Sequence, residues 1–290
     1  MILDGLKEQQ KLRQAILRRV DYLKNQYHIQ PKLVVILIGH NTPSLLYVSK
    51  KKDFAHSVGI QTEIFHLPTS VSLEECLTLI HQLNTDPRVH GILLQLPLPP
   101  HLSANTLIET ILPSKDVDGL HSTNVGKLIQ KEEGLYPCTP QGCLHLIRLW
   151  QKDLKGLTAV VIGRSLLVGK PMAALLLHAN ATVIQTHRYT KNLKDLTCLA
   201  DIVVVAAGHP GLISSEFIKE GACVIDVGIS KNQQEQIVGD VIFEEVKNKA
   251  SSISPVPGGV GPMTVTYLMM NILKSCCIQE KISYEECSEL

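Results

Sequence analysis

The chain has 290 residues, 44% of them hydrophobic and 19% charged, with a formal net charge of +1. That length leaves room for two domains of ordinary size, and the near-neutral balance gives no footing for nucleic acid or an anionic membrane as partner. The opening residues, Met1 to Lys7, lack the basic-then-apolar order of a signal peptide, and no apolar run approaches the roughly 20 residues of a membrane span.

Residues from about Leu6 to Gln26 place Leu12, Ile16, Val20 and Leu23 at helical spacing and read as an amphipathic helix. Leu33 to Gly39 is a short β-branched run ended by glycine, a buried strand. Thr42 then suits a helix N-cap and Pro43 the first helical position. The helix that follows carries Tyr47 and Lys51 at i,i+4, so both project from one face. They stand just past the carboxyl end of a strand, where open α/β sheets place ligands. A phenol and an ammonium there can hold a flat polar substrate and move a proton. The plainer alternative is that Tyr47 is core and Lys50, Lys51 and Lys52 form a solvated face.

Gln61 to Leu67 reads as a second strand, and Ser72-Leu-Glu-Glu75 is a capping box opening a helix to about Asn84. Val89 to Gln95 is a third strand, stopped by the prolines of Gln95 to Pro100. Ser103 to Leu112 is helical and Lys115-Asp-Val-Asp-Gly119 is a polar turn. Gln95 and Asp118 thus end apolar elements. Either joins Tyr47 and Lys51 in one cleft, or Gln95 ties down the proline loop and Asp118 is an ordinary Asp-Gly turn residue.

Tyr136 to Pro140 links two domains, with a helix to about Trp150 beyond it. Thr158 to Gly163 is a strand, Gly163 to Gly169 a loop, and Pro171 fits the first turn of the next helix. Strand, glycine loop and helix make half a nucleotide-binding unit whose helix start can receive a pyrophosphate, although the loop is not G-x-G-x-x-G and could be only a tight turn. The next strand, Thr182 to Gln185, ends without the acid that an NAD site uses for the ribose hydroxyls. Arg164 and Arg188 could instead meet a 2′-phosphate, favouring NADP, unless they simply face solvent. Asp201 to Gly208 and Ala222 to Gly228 run apolar into glycine, so Gly208 and Gly228 allow close approach of a cofactor. A short strand near Ser252 to Ser254 enters Pro255 to Thr264, a ligand-lining loop or else a linker. Thr264 caps a last helix, Val265 to about Ile278, which returns to the first domain, and the acidic tail from Glu280 frays.

The strand and helix alternation defines an α/β protein: two α/β domains flanking a cleft, the second a Rossmann-like dinucleotide-binding domain. Residues 1–139 form the first domain, joined by the C-terminal helix 264–290, and residues 140–263 the second. The eight cysteines, at 76, 138, 143, 198, 223, 276, 277 and 287, make no C-x-x-C pair. No metal site is indicated, and reduced thiols fit a cytoplasmic location.

Six stretches together resemble the bifunctional methylenetetrahydrofolate dehydrogenase/methenyltetrahydrofolate cyclohydrolase family. They are Gly39 through Tyr47-Val-Ser-Lys-Lys51 to Ile60; Gln95-Leu-Pro-Leu98; Lys115 to Gly119; Pro137-Cys-Thr-Pro140; Gly163-Arg-Ser-x-x-Val-Gly169; and Pro255-Val-Pro-Gly-Gly-Val-Gly-Pro-Met-Thr264. The resemblance implies oxidation of 5,10-methylenetetrahydrofolate by hydride transfer to NADP, then hydrolysis of the methenyl product to 10-formyltetrahydrofolate. It implies Lys51 as the catalytic amine, Tyr47 stacked on the pterin, Gln95 holding Lys51, and Asp118 on the pterin's amino edge. It extends the substrate site to Pro257, Gly258 and Gly259. It assigns the cofactor to Gly163, Arg164, Ser165, Gly169, Arg188, Gly208, Gly228, Ile229 and Thr264. It also implies a homodimer, with tetrahydrofolate derivatives as partners. The chain departs from the family pattern at Asp53, where a second lysine is common, and at Arg188 and Tyr189, where many members have serine and a basic residue. A dehydrogenase-only member, NAD-dependent or acting on another small substrate, is the enzymatic alternative, and a catalytically dead folate- or nucleotide-binding module the non-enzymatic one.

Overall fold

A computed structural model describes residues 1–232 and 234–284. Of the tail read as frayed, residues 285–290 lie outside the described part. The chain divides into two compact units, here the first lobe (Lys11–Tyr136 with Leu268–Leu290) and the second lobe (Met1–Gln10 with Pro137–Tyr267).

Helix α1 (Gly5–Tyr27) leads into the first lobe, where Ile16, Val20 and Leu23 are fully buried. The lobe continues with β1 (Lys32–Ile38), α2 (Thr42–Ser57), β2 (Gln61–Leu67), α3 (Leu73–Thr85), β3 (Gly91–Leu94), α4 (Ala104–Thr110) and α5 (Ser122–Gln130). The sheet is parallel in the order β2-β1-β3. Central β1 is the apolar run of the sequence because both its faces are covered. On one face Val34, Ile36 and Ile38 pack with Ile80 of α3 and Leu107 of α4.

The capping box is present as read: the Ser72 hydroxyl accepts from Glu75 N, and the Glu75 carboxylate accepts from Ser72 N. The cap of α2 is not Thr42 but Asn41, whose Oδ1 accepts from Ser44 N at 3.0 Å. Helix α5 has no counterpart in the sequence reading. Gly126 interrupts its propensity, and its cap is a histidine ring, His121 Nδ1 accepting from Thr123 N at 3.0 Å.

The second lobe contains α6 (Cys138–Trp150), β4 (Thr158–Ile162), α7 (Gly169–His178), β5 (Thr182–Thr186), α8 (Leu193–Thr197), β6 (Ile202–Val205) and β7 (Cys223–Asp226). Then follow β8 (Ser230–Lys231), β9 (Ile237–Val238), α9 (Phe243–Val246) and β10 (Ser252–Ile253). Helix α10 (Val260–Glu280) starts in this lobe and ends in the first. The sheet is parallel in the order β10-β7-β6-β4-β5. Counted within the lobe this is the doubly wound order 2-1-3-4-5, whose direction reverses between β4 and β6. The amino terminus extends the sheet beyond β10, with Leu3 N donating to Ile253 O at 2.8 Å and Ile253 N to Met1 O at 3.0 Å. The antiparallel pair β8-β9 is too short to leave a periodic signal.

Thr264 does not cap α10. The helix already begins at Val260, and the Thr264 hydroxyl donates back to Val260 O at 3.3 Å. The sequence reads 255–264 as a loop or a linker, yet Pro262 falls in the first turn of α10, where no backbone N–H is needed. Among the described residues no helix is long and apolar enough to cross a membrane.

Candidate functional site

In the first lobe the residues of interest gather at the carboxyl ends of β1 and β3. Gln95 directly follows β3 and its N donates to Ile36 O of β1 at 2.9 Å. Helix α2 leaves from the end of β1, with Ser44 near its start hydrogen-bonded through its hydroxyl to Leu96 O at 3.4 Å. Two turns on, Lys51 is buried at 9% exposure, and its Nζ donates to Gln95 Oε1 at 3.0 Å. Gln95 Nε2 donates to Leu96 O at 2.7 Å, which fixes the amide so that only its oxygen faces the lysine. Tyr47 lies one turn before Lys51, half-buried, and burial pushes its phenol upward in pKa.

Asp118 is held on a separate segment laid against β3. Ile92 N donates to Lys115 O at 2.8 Å, and Gly119 N closes a turn on Asp116 O at 3.1 Å. The sequence reads 115–119 as a polar turn, but Lys115 is 4% and Asp116 2% exposed. Lys115 Nζ reaches Leu83 O at 3.0 Å and Asp86 O at 2.7 Å, covering the carbonyl end of α3. Asp116 Oδ2 accepts from His121 N at 2.8 Å and Asn124 Nδ2 at 2.9 Å. Burial pushes the Asp116 carboxyl up to about 6, against those two donors, and the charge of Asp118 adds to the rise. From α10, Asn271 Nδ2 donates to Val117 O and to Tyr136 O, each at 2.8 Å. Asp118 therefore sits half-exposed on a braced turn, while Lys51 and Gln95 meet directly and Tyr47 shares α2 with Lys51.

In the second lobe the glycine loop leaves β4 at the point where the strand order reverses. Gly163 has φ +125°, and a Cβ there would lie 2.3 Å from Ala206 O at the end of β6. A Cβ on Gly169 would lie 2.2 Å from Gly163 O, so the loop closes on itself only with glycine at both ends. Ser165 turns its hydroxyl inward, accepting from Val168 N at 3.1 Å and Gly169 N at 3.4 Å. The 163–169 loop and the start of α7 thus form a cradle free of side chains at its two glycines, suited to a pyrophosphate.

Beyond β5, Arg164 and Arg188 converge on one ring. Their guanidinium carbons stand 5.8 Å and 4.6 Å from the centroid of Tyr189, and Arg188 Nη2 donates to the Tyr189 hydroxyl. Both arginines are exposed. Gly208 and Gly228 are joined through Asp240, whose Oδ2 accepts from Ala207 N at 2.7 Å and Gly208 N at 2.8 Å. A Cβ on Gly228 would lie 2.4 Å from the same carboxyl carbon. Asp226 backs this arrangement, accepting from Gly228 N, Asp240 N and Val241 N at 2.9 to 3.0 Å. Burial pushes the Asp226 carboxyl up to about 6 in spite of these donors, helped by the charge of Asp240. Ile229 is half-exposed beside them.

Pro257, Gly258 and Gly259 belong to this second lobe. Gly259 N donates to Pro255 O at 2.9 Å and Leu6 N to Gly258 O at 3.1 Å. A Cβ on Gly5 would lie 1.8 Å from Gly259 O, so the start of α1 is moulded to the turn. Thr264 shares a hydrogen bond with the Thr139 hydroxyl at 2.9 Å. Sequence reasoning singled out Tyr189 only as a departure from the family pattern and gave no role to Asp116, Asp226 or Asp240. The signal for the acids was their place beside glycine or a site acid, in Asp-Val-Gly228, Gly-Asp240 and Lys-Asp-Val-Asp118.

Comparison with known proteins matches residues 3–118 to the tetrahydrofolate dehydrogenase/cyclohydrolase catalytic domain, and residues 137–280 to the NAD(P)-binding domain of the same family. The bifunctional protein FolD of a Wolbachia from Drosophila simulans is 49% identical over 283 residues, 97% of each chain. The crystal structure of the bifunctional FolD dehydrogenase/cyclohydrolase from Campylobacter jejuni superposes with a TM-score of 0.93 at 45% identity, covering 95% of this chain and 98% of that one. The FolD of Trypanosoma brucei, complexed with NADP and an inhibitor, gives a TM-score of 0.92 at 35% identity, covering 97% and 98%. The fold and site define an α/β enzyme with a nucleotide-binding lobe. The chain belongs to the tetrahydrofolate dehydrogenase/cyclohydrolase family.

Proposed function

We propose that this chain carries both family activities on the residues described above. It oxidises 5,10-methylenetetrahydrofolate to the 5,10-methenyl compound with NADP, and it hydrolyses that product to 10-formyltetrahydrofolate. The observation that carries the reading is the buried Lys51 amine, 3.0 Å from Gln95 Oε1 at the carboxyl end of a parallel sheet.

The pterin stacks on Tyr47, and its guanidine-like amino edge pairs with the Asp118 carboxylate through two N–H bonds. Gln95 holds Nζ of Lys51 in place, and Nζ is the atom that moves a proton as water adds to the methenyl carbon. Pro257, Gly258 and Gly259 line the substrate. The cradle that a Cβ would fill at Gly163 and Gly169, and the two arginines at Tyr189, fit a dinucleotide bearing a 2′-phosphate. When bound, NADP supplies the hydride acceptor. Gly163, Ser165 and Gly169 would receive its pyrophosphate and Arg164 and Arg188 its 2′-phosphate. Gly208, Gly228, Ile229 and Thr264 would line the remainder. On the same reading residues 1–139 with 264–290 serve the folate and residues 140–263 the nucleotide. The family resemblance supports a homodimer. None of the seven described cysteines is in a disulfide, which suits the reducing cytoplasm.

Steady-state oxidation of methylenetetrahydrofolate with NADP and NAD in turn, followed by assay of the formyl product in the same sample, tests this. Faster turnover with NADP and formyl release above the uncatalysed rate are expected. Methenyl product that decays only at the uncatalysed rate would refute the hydrolase half.

A further inference from the structure

The cluster at the end of β5 gathers two cations on one ring, and among the described residues neither is paired with an acid. Arg164 and Arg188 carry like charge, yet both guanidinium groups lie near the Tyr189 ring, at 5.8 Å and 4.6 Å. The electron-rich ring face attracts both cations, and the phenol oxygen accepts a hydrogen bond from Arg188 Nη2. The tyrosine is itself rooted. Its N donates to His187 Nδ1 at 3.2 Å, its ring meets the imidazole edge-on at 6.0 Å, and the turn is closed by His187 N to Thr190 Oγ1 at 2.9 Å and Thr190 N to His187 O at 2.8 Å. At 64% exposure Tyr189 adds little to the core, so its placement is not explained by packing.

We infer that Tyr189 is a specificity-determining residue: it holds the Arg164 and Arg188 guanidinium groups converged before the nucleotide arrives, so that a ribose 2′-phosphate meets a preformed pair of cations. The inference rests on the NADP reading above and assigns the discrimination against NAD to a residue outside the phosphate-binding arginines. Flexible arginines lose side-chain entropy when they gather on an anion, and a ring that gathers them beforehand removes part of that cost. The benefit falls only on the phosphorylated ribose, because NAD offers the arginines no anion at that position.

The test compares wild type, Tyr189→Phe and Tyr189→Ala by kcat/KM with NADP and with NAD, and by calorimetric binding of 2′-phospho-ADP-ribose and ADP-ribose. Tyr189→Ala is expected to lower the NADP-to-NAD ratio about tenfold, the size of the ordering cost of two freed arginine side chains. The loss should lie in KM for NADP, with kcat and the thermal midpoint unchanged. Tyr189→Phe should recover most of the ratio. An unchanged ratio in Tyr189→Ala would overturn the inference while leaving the NADP reading intact. Equal losses for both nucleotides would also overturn it, since the ring would then serve the shared adenosine. A wild-type enzyme that does not prefer NADP would overturn the cofactor reading itself, and this inference with it.

Discussion

Among the described acids burial changes Asp116 and Asp226 most, pushing each carboxyl from the ordinary range of about 4 up to about 6. Between those values the folded chain holds a proton that the unfolded chain has released. Stability therefore falls as pH rises through the window from about 4 to about 6, and the penalty is fully present at neutral pH. For Asp116 it amounts to at most about 3 kcal/mol. The Asp116→Asn variant removes the charge and can still accept from His121 N and Asn124 Nδ2. Its urea midpoint is expected to exceed that of wild type at pH 7 and to match it near pH 4. A variant less stable than wild type at pH 7 would contradict this account of the brace. Spacing singles out Tyr47 and Lys51 as an i,i+4 pair on the helix after a strand, and position singles out Gln95 and Asp118, each at the end of an apolar element. Asp116 was not legible, since its role comes from donors on α5, an element the sequence did not announce.

Strands and helices of ordinary composition could be read closely: β2 spans Gln61–Leu67 as read, and the Ser72 box starts α3 where it should. Errors fell where a proline or a polar residue admits two roles. Thr42 and Asn41 are both competent caps, and the tertiary path of the chain chose Asn41. Pro262 could have broken a helix or begun one. Glycine at Gly169 has a single reason, the 2.2 Å separation that a Cβ would have from Gly163 O. Gly169→Ala must therefore open the loop. A loss of about 1–3 kcal/mol in stability is expected, with weakened binding of NADP and NAD alike because the pyrophosphate cradle is common to both. Calorimetric titration checks this, and wild-type affinity in the variant would contradict the assigned cradle.

The whole molecule is two units interleaved in sequence, since residues 1–10 group with 137–267 and residues from 268 onward with 11–136. The closing helix carries this: Thr264 bonds to Thr139 in the second lobe, and Asn271, two turns later, bonds to Val117 and Tyr136 in the first. The alternation of strands and helices announced two parallel sheets. The grouping of the first ten residues could not be read, because it rests on pairing with Ile253, some 250 residues away in the chain, and on the fit of Gly5 to Gly259. On the proposed reading the nucleotide residues belong to one unit and Lys51 to the other, so a Lys51 variant loses chemistry while keeping nucleotide affinity. The most direct measurement is the hydrolysis rate of methenyltetrahydrofolate by Lys51→Ala, with NADP affinity and thermal midpoint recorded on the same preparation. The account predicts a fall of at least about 100-fold, with affinity and midpoint near wild type. Hydrolysis at the wild-type rate in a folded, NADP-binding variant would contradict it.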